Sequence, residues 1–136
     1  MAPRSEIEVA IVERFFEYLK VFNIPEIAKL ISDDDFVNLT RPSSLGIPDR
    51  SKEEYLAFLK WQAEQQGGRP LEITFNGLAD AVELAAKVFV HPDIRFETQE
   101  GKPFVLESIY IFTFDDNYKF RILAAFEDSC AYPWAK

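Results

Sequence analysis

The stretch 107–129, ESIYIFTFDDNYKFRILAAFEDS, constrains the fold more than any other part of this chain. Apolar and aromatic residues alternate along two long runs, Phe104 to Phe114 and Lys119 to Ser129. Asp115-Asp116-Asn117 between them is turn chemistry, so the stretch reads as two antiparallel strands joined by a tight turn. Alternation puts Phe104, Leu106, Ser108, Tyr110, Phe112 and Phe114 on one face, and Val105, Glu107, Ile109, Ile111 and Thr113 on the other. Ser108, Tyr110, Glu127 and Asp128 are polar interruptions. A sheet with so apolar a face has to be covered. Where helices close over it, those polar groups are candidates to sit in the space between.

The residues for that cover come first in the chain. Ser5-Glu6-Ile7-Glu8 has the form of a capping box, and Ile7, Ile11, Phe15, Tyr18, Leu19 and Phe22 follow at helical spacing. Asn23 can cap a short second helix with Pro25 in its first turn, running to about Ile31. Phe36 to Thr40 is a short strand candidate, and Arg41 to Pro48 a loop rich in turn residues. Ser51-Lys52-Glu53-Glu54 is a second capping box; it opens a third helix carrying Tyr55, Leu56, Phe58, Leu59 and Ala63 and ended by Gly67-Gly68. Beyond Pro70 the pattern is strand: Leu71, Ile73 and Phe75 alternate, Lys87 to His91 is β-rich, and Ile94 to Thr98 continues past a bend at Pro92. The alanine-rich stretch 77–86 fits helix or strand. Three helices followed by a long meander of antiparallel strands define an α+β chain of one domain over its 136 residues.

Composition excludes several classes. Apolar residues make up 48%, including 13 Phe, too many for a disordered chain and well suited to a core or an apolar cavity. The net charge of −8 argues against a nucleic-acid groove and against an anionic membrane surface. No apolar run approaches a membrane span, and the opening residues, interrupted by Glu6, Glu8 and Glu13, do not read as a signal peptide; an intracellular, cytoplasmic protein is expected. Cys130 is the single cysteine, so no intrachain disulfide forms. No P-loop, dinucleotide fingerprint or nucleophile elbow is present. No cofactor and no metal are expected: His91 is the only histidine, and Asp33-Asp34-Asp35 lacks the spacing and glycine of a calcium loop.

Three segments together, ERFFEYLKVFNIPEIAKLISDDDFV, SKEEYLAFL and the final hairpin, carry a resemblance. The sequence is similar to the nuclear-transport-factor-2-like superfamily, most of all its SnoaL-like, ketosteroid-isomerase-like branch. The resemblance covers nearly the whole chain. It implies a cone: three N-terminal helices packed on a strongly curved antiparallel sheet. It further implies a small hydrophobic ligand, such as a carbonyl or polyketide-like compound, and cofactor-free acid–base catalysis as an isomerase, cyclase or dehydratase. The alternative is a non-catalytic ligand-binding or dimerisation module on the same fold. A homodimer through the outer sheet face, with Val105, Ile109, Ile111 and Leu123, is also implied.

Residue by residue, the resemblance transfers unevenly. The tyrosine that ketosteroid isomerases place on the first helix falls at or near Phe16, which cannot donate a hydrogen bond, and their base falls near Leu39 or Thr40. Steroid isomerisation by that constellation is therefore rejected. Their late-strand aspartate falls on Tyr110, a candidate hydrogen-bond donor to a developing oxyanion; a core tyrosine satisfied by a neighbour is the alternative. The acid/base aspartate of SnoaL-like cyclases matches Asp128, with Glu127 its competitor because one step of register exchanges them. His91 is a candidate proton shuttle, with a strand-end histidine as the alternative. Phe16, Tyr18, Leu19, Tyr55, Phe58, Leu59, Ser108, Phe112 and Phe126 are the expected ligand-contacting residues.

Overall fold

Pro3, rather than Ser5, caps the first helix, α1 (Arg4–Lys20). A computed structural model of the chain describes residues 3–75, 80–82, 86–97 and 101–127. In it the expected capping box at Ser5 is replaced by a different use of the same residues. Proline's fixed φ, here −57°, suits a helix entry, so Ser5 falls inside the first turn. Glu8 is fully buried and accepts from Arg4 Nε at 2.9 Å. Arg4 also donates through Nη2 to the carbonyl of Asp115 at 2.7 Å, which ties the helix start to the turn of the final hairpin.

The other two helix starts follow their sequence signals. Asn23 Oδ1 accepts from the Glu26 amide at the head of α2 (Ile24–Lys29). Ser51 and Glu54 form a reciprocal capping box on α3 (Lys52–Gln65): Ser51 Oγ accepts from the Glu54 amide at 3.2 Å, and Glu54 Oε1 accepts from the Ser51 amide at 2.9 Å. Gly67 and Gly68 follow α3 at φ of +67° and +78°, a conformation that side chains with a Cβ resist.

Among the described residues seven strands form the sheet: β1 (Val37–Arg41), β2 (Glu72–Phe75), β3 (Asp80–Val82), β4 (Lys87–Val90), β5 (Pro92–Glu97), β6 (Pro103–Phe114) and β7 (Phe120–Glu127). The stretch 77–86, ambiguous by pattern, contains strand β3; residues 77–79 and 83–85 lie outside those described. The long strand β6 is the spine. On one edge it pairs with β7; on the other, β4 and β5 lie end to end along it. Val90 faces Tyr110 and Asp93 faces Glu107, so the bend at Pro92 neither gains nor loses a residue. β3 and β2 extend the sheet beyond β4 and β5. One pair departs from the antiparallel pattern: β1 runs parallel to β7, with Thr40 beside Ala125. Parallel neighbours need a crossover.

The helices cover the face of β6 that the alternation assigned inward. Leu106, Ser108, Tyr110, Phe112 and Phe114 are buried, whereas Val105 and Ile109 are about half exposed. Phe15 and Phe16 of α1 meet Phe112 at ring distances of 5.3 and 5.8 Å, and Phe112 meets Phe120 at 4.8 Å. Leu123 corrects the expectation that it lies on the outer face. It is buried opposite Phe112, because an irregularity between Thr113 and Phe114 shifts the register and inverts the alternation of β7 relative to its start at Phe120. No described helix is long and apolar enough to cross a membrane.

Candidate functional site

Beyond that phenylalanine cluster, the space between the helices and the sheet is not filled. The cavity there has about 30 Å³ that admits the centre of a water molecule. That is room for a few waters. A larger guest has to displace side chains. One wall is apolar: Leu19 of α1, Leu59 of α3, then Leu71, Ile94, Phe96 and Leu106. The lining also has a polar part, made by Asn38, Thr40, Arg50, Gln62, Tyr110 and Glu127.

The polar wall is built by strand parity. Tyr110 pairs with Ala125, and Ser108 with Glu127, so all four share the inner face. Thr40 stands beside Ala125 on the next strand, and Asn38 beside Leu123. Asn38 also forms a two-way backbone bridge with Arg50, at 2.8 and 3.0 Å, which fastens the loop before α3 to β1. The Arg50 side chain follows that bridge inward. Its Nη1 donates to Asn38 Oδ1 at 3.1 Å and Thr40 Oγ1 at 3.3 Å, and the guanidinium lies 3.8 Å from the centre of the Phe58 ring. Asn38 Nδ2 in turn donates to the Leu123 carbonyl at 3.0 Å. Arg50 is thus a cation held in a fixed place.

Glu127 is the unusual group. Its Oε2 is buried and has no hydrogen-bond partner among the described residues; the same holds for Oγ of Ser108 across the strand. Loss of water around the carboxyl pushes its pKa up to about 8, against the opposing pull of the Arg50 charge. At neutral pH it is therefore a neutral carboxylic acid, able to donate a proton into the cavity.

Of the residues expected to touch a ligand, Leu19, Tyr55, Phe58 and Leu59 line this cavity, and so does Tyr110, the expected oxyanion donor. Phe16 and Phe112 stand one layer behind, packed on the Tyr110 ring at 5.4 and 6.0 Å. Tyr18 is half-buried and packs against the core rather than the cavity. Ser108 is buried on the inner face. Phe126 points the other way, 45% exposed. His91 also stands apart from Tyr110: it lies on the outer side, its Nε2 3.0 Å from Glu107 Oε1. Asp128 lies outside the described residues. Asn38, Thr40, Arg50 and Gln62 were not anticipated. The alternation Val37-Asn38-Leu39-Thr40 was a signal, but polar residues on a strand are ordinarily assigned to solvent. Nothing local to Arg50 marks it.

No family model and no curated protein matches the sequence. Solved structures do. AusH from Aspergillus nidulans aligns over 93% of this chain and 88% of its own, with a TM-score of 0.78 and 22% identity. The BvnE pinacolase from Penicillium brevicompactum aligns over 96% and 89%, with a TM-score of 0.85 and 18% identity. PrhC from Penicillium brasilianum aligns over 98% and 87%, with a TM-score of 0.84 and 14% identity. The chain has the SnoaL-like, nuclear-transport-factor-2-like fold. At such identities the likeness is one of fold, and in this fold the cavity just described is the space enclosed by the cone.

Proposed function

We propose that the chain binds a small, largely apolar organic molecule in this cavity and acts on it by cofactor-free acid–base catalysis, as an isomerase, cyclase or dehydratase. The observation that carries the proposal is Glu127, a buried carboxyl with an unpartnered oxygen in the lining of this cavity. A neutral carboxylic acid protonates a carbonyl or hydroxyl oxygen, and its conjugate base then recovers a proton from carbon or oxygen elsewhere on the same molecule. In this reading Tyr110 hydrogen-bonds an oxygen on which charge develops, and Arg50 stabilises the carboxylate while it lasts. One structural neighbour is a pinacolase. Pinacol rearrangements in general need an acid to expel water from a diol and a base to take the last proton, so that reaction class belongs among those to be tried.

A thermal-shift screen of hydrophobic carbonyl compounds, diols and polyketide-like compounds tests binding: a ligand at 100 times its dissociation constant stabilises by about 2.7 kcal/mol. No shift across a broad set counts against a ligand cavity. Once a substrate is found, Glu127→Gln removes the transferable proton and is expected to lower the rate by about 10²–10⁴-fold. An unchanged rate removes Glu127 from catalysis and leaves a binding module.

A second reading, that two copies associate through the outer sheet face, is favoured by one observation. Val105, Ile109 and Phe126 are 45%, 47% and 45% exposed there, and apolar surface of that kind is ordinarily covered. Sizing at micromolar concentration is expected to give a dimer; a monomer alone rejects it.

A further inference from the structure

Three ligating side chains meet on the outer face of the sheet, away from the cavity. His91 stands at the bend between β4 and β5, Asp93 lies two residues on, and Glu107 faces Asp93 directly across the ladder. Residues two apart on an extended chain share a face, and Pro92 between them fixes the backbone that spaces them. One ligand atom from each residue lies within 4.8 Å of the other two, and His91 Nε2 is 3.0 Å from Glu107 Oε1. Nothing in the proposed chemistry uses these groups.

Two features set the cluster apart from an ordinary surface ion pair. Opposed carboxylates on adjacent strands repel one another, and here Asp93 faces Glu107. In addition, Asp93 Oδ1 is buried without a hydrogen-bond partner among the described residues. The neighbouring cation does not satisfy it, since Arg95 is directed to Glu72, at 3.9 Å. His91 reaches Glu107, and Asp93 retains an unmatched oxygen.

We propose that His91, Asp93 and Glu107 form a binding site for one divalent transition-metal ion. One imidazole nitrogen with two carboxylate oxygens is a donor set for zinc, manganese, iron(II) or cobalt rather than for magnesium or calcium, which prefer oxygen alone. Ligands about 2.1 Å from a tetrahedral ion lie roughly 3.4 Å from each other. The present spacing brackets that value, and Glu107, the exposed member, is free to swing inward. Three protein ligands leave a position for water.

Calorimetric titration of the full chain with zinc chloride at pH 7.5 tests the site. Cys130→Ser serves as the background, so that the thiol contributes nothing. One ion per chain is expected. Binding should weaken at least about tenfold in His91→Ala and in Asp93→Asn. The metal-free unfolding midpoint of each variant verifies its fold; should either fail to fold, Glu107→Gln at the exposed position is read in its place. The proposal is overturned by the lack of saturable binding, by unchanged affinity in the variants, by magnesium binding as tightly as zinc, or by half an ion per chain. None of these outcomes bears on Glu127.

Discussion

Glu107 and Glu127 belong to the same hairpin and have the same chemistry, yet they face opposite sides of one sheet. Glu107 sits on the outer face of β6, mostly exposed, 3.0 Å from the imidazole of His91. Its neighbour Ser108 sits on the inner face, and across from Ser108 stands Glu127, with a buried, unpartnered oxygen and a pKa pushed up to about 8. A single step of strand parity thus separates an exposed surface carboxyl from a buried neutral acid in the cavity. Residue type alone says little about a carboxyl's role here; the face decides.

The comparison breaks most visibly under pH. The ordinary value of Glu127 is 4.5, and in the folded chain it is about 8. Between those values the folded chain keeps a proton that the unfolded chain has lost. The stability associated with the neutral acid is therefore fully present below about 4.5 and is lost as pH rises through about 8. A shift of that size corresponds to at most about 5 kcal/mol. Glu127→Gln, neutral at every pH, is expected to match the wild type near pH 4.5 and to exceed it by several kcal/mol near pH 9, read from urea unfolding. Parallel pH profiles for the two proteins would mean that the carboxyl is solvated and the inner face ordinary.

Apolar residues make the same contrast. Phe112 is fully buried between the rings of Phe15 and Phe120, and Phe112→Ala should cost about 3–5 kcal/mol. Ile109, three positions earlier on the outer face and 47% exposed, should lose no more than about 1 kcal/mol on truncation to alanine. Comparable losses at the two positions would indicate that the outer face is covered, as it is in a dimer. A smaller effect is expected at Arg50. Arg50→Met removes two hydrogen bonds and a ring contact, on the order of 1–3 kcal/mol. It also removes the charge that holds the Glu127 pKa down, so the Glu127 titration should move upward. A downward move would reverse the electrostatic account of the wall.

The two faces also differ in how far they could be read from sequence. The β6 faces followed from simple alternation, and Asn23 and Ser51 marked two helix starts correctly. Ser5 did not, because Pro3 two residues earlier is the better entry to a helix and frees Glu8 to be buried against Arg4. The second strand was less legible than the first. The irregularity at Thr113/Phe114 is a tertiary accommodation with no residue signature, and it sent Leu123 inward. Whether Glu127 or Asp128 enters the cavity hangs on the same step. Arg50 could not be anticipated at all. Its position comes from a bridge to Asn38, twelve residues away, and only the closed fold brings it over Phe58. Likewise His91 looked solitary along the chain: Asp93 stands two residues on, but only the β5–β6 register brings Glu107 beside them.

The smallest expected effect is the sharpest control. Glu107→Gln removes one carboxyl from the outer face of the hairpin, as Glu127→Gln does from the inner. Exposed ion pairs are worth about 0–1 kcal/mol. The His91–Glu107 pair is of that kind, with side chains 40% and 65% exposed. The repulsion between Glu107 and Asp93 across the ladder opposes even that gain. In metal-free buffer the substitution should therefore change stability by less than about 1 kcal/mol at pH 9, and either sign is compatible with the two opposing contributions. Added salt should shrink the difference further, since exposed charges are screened. Measured beside Glu127→Gln under identical conditions, the pair isolates parity as the variable. If Glu107→Gln moved the pH 9 stability as far as Glu127→Gln, burial would not be what distinguishes the two glutamates, and the acid assigned to the cavity would lose its physical basis.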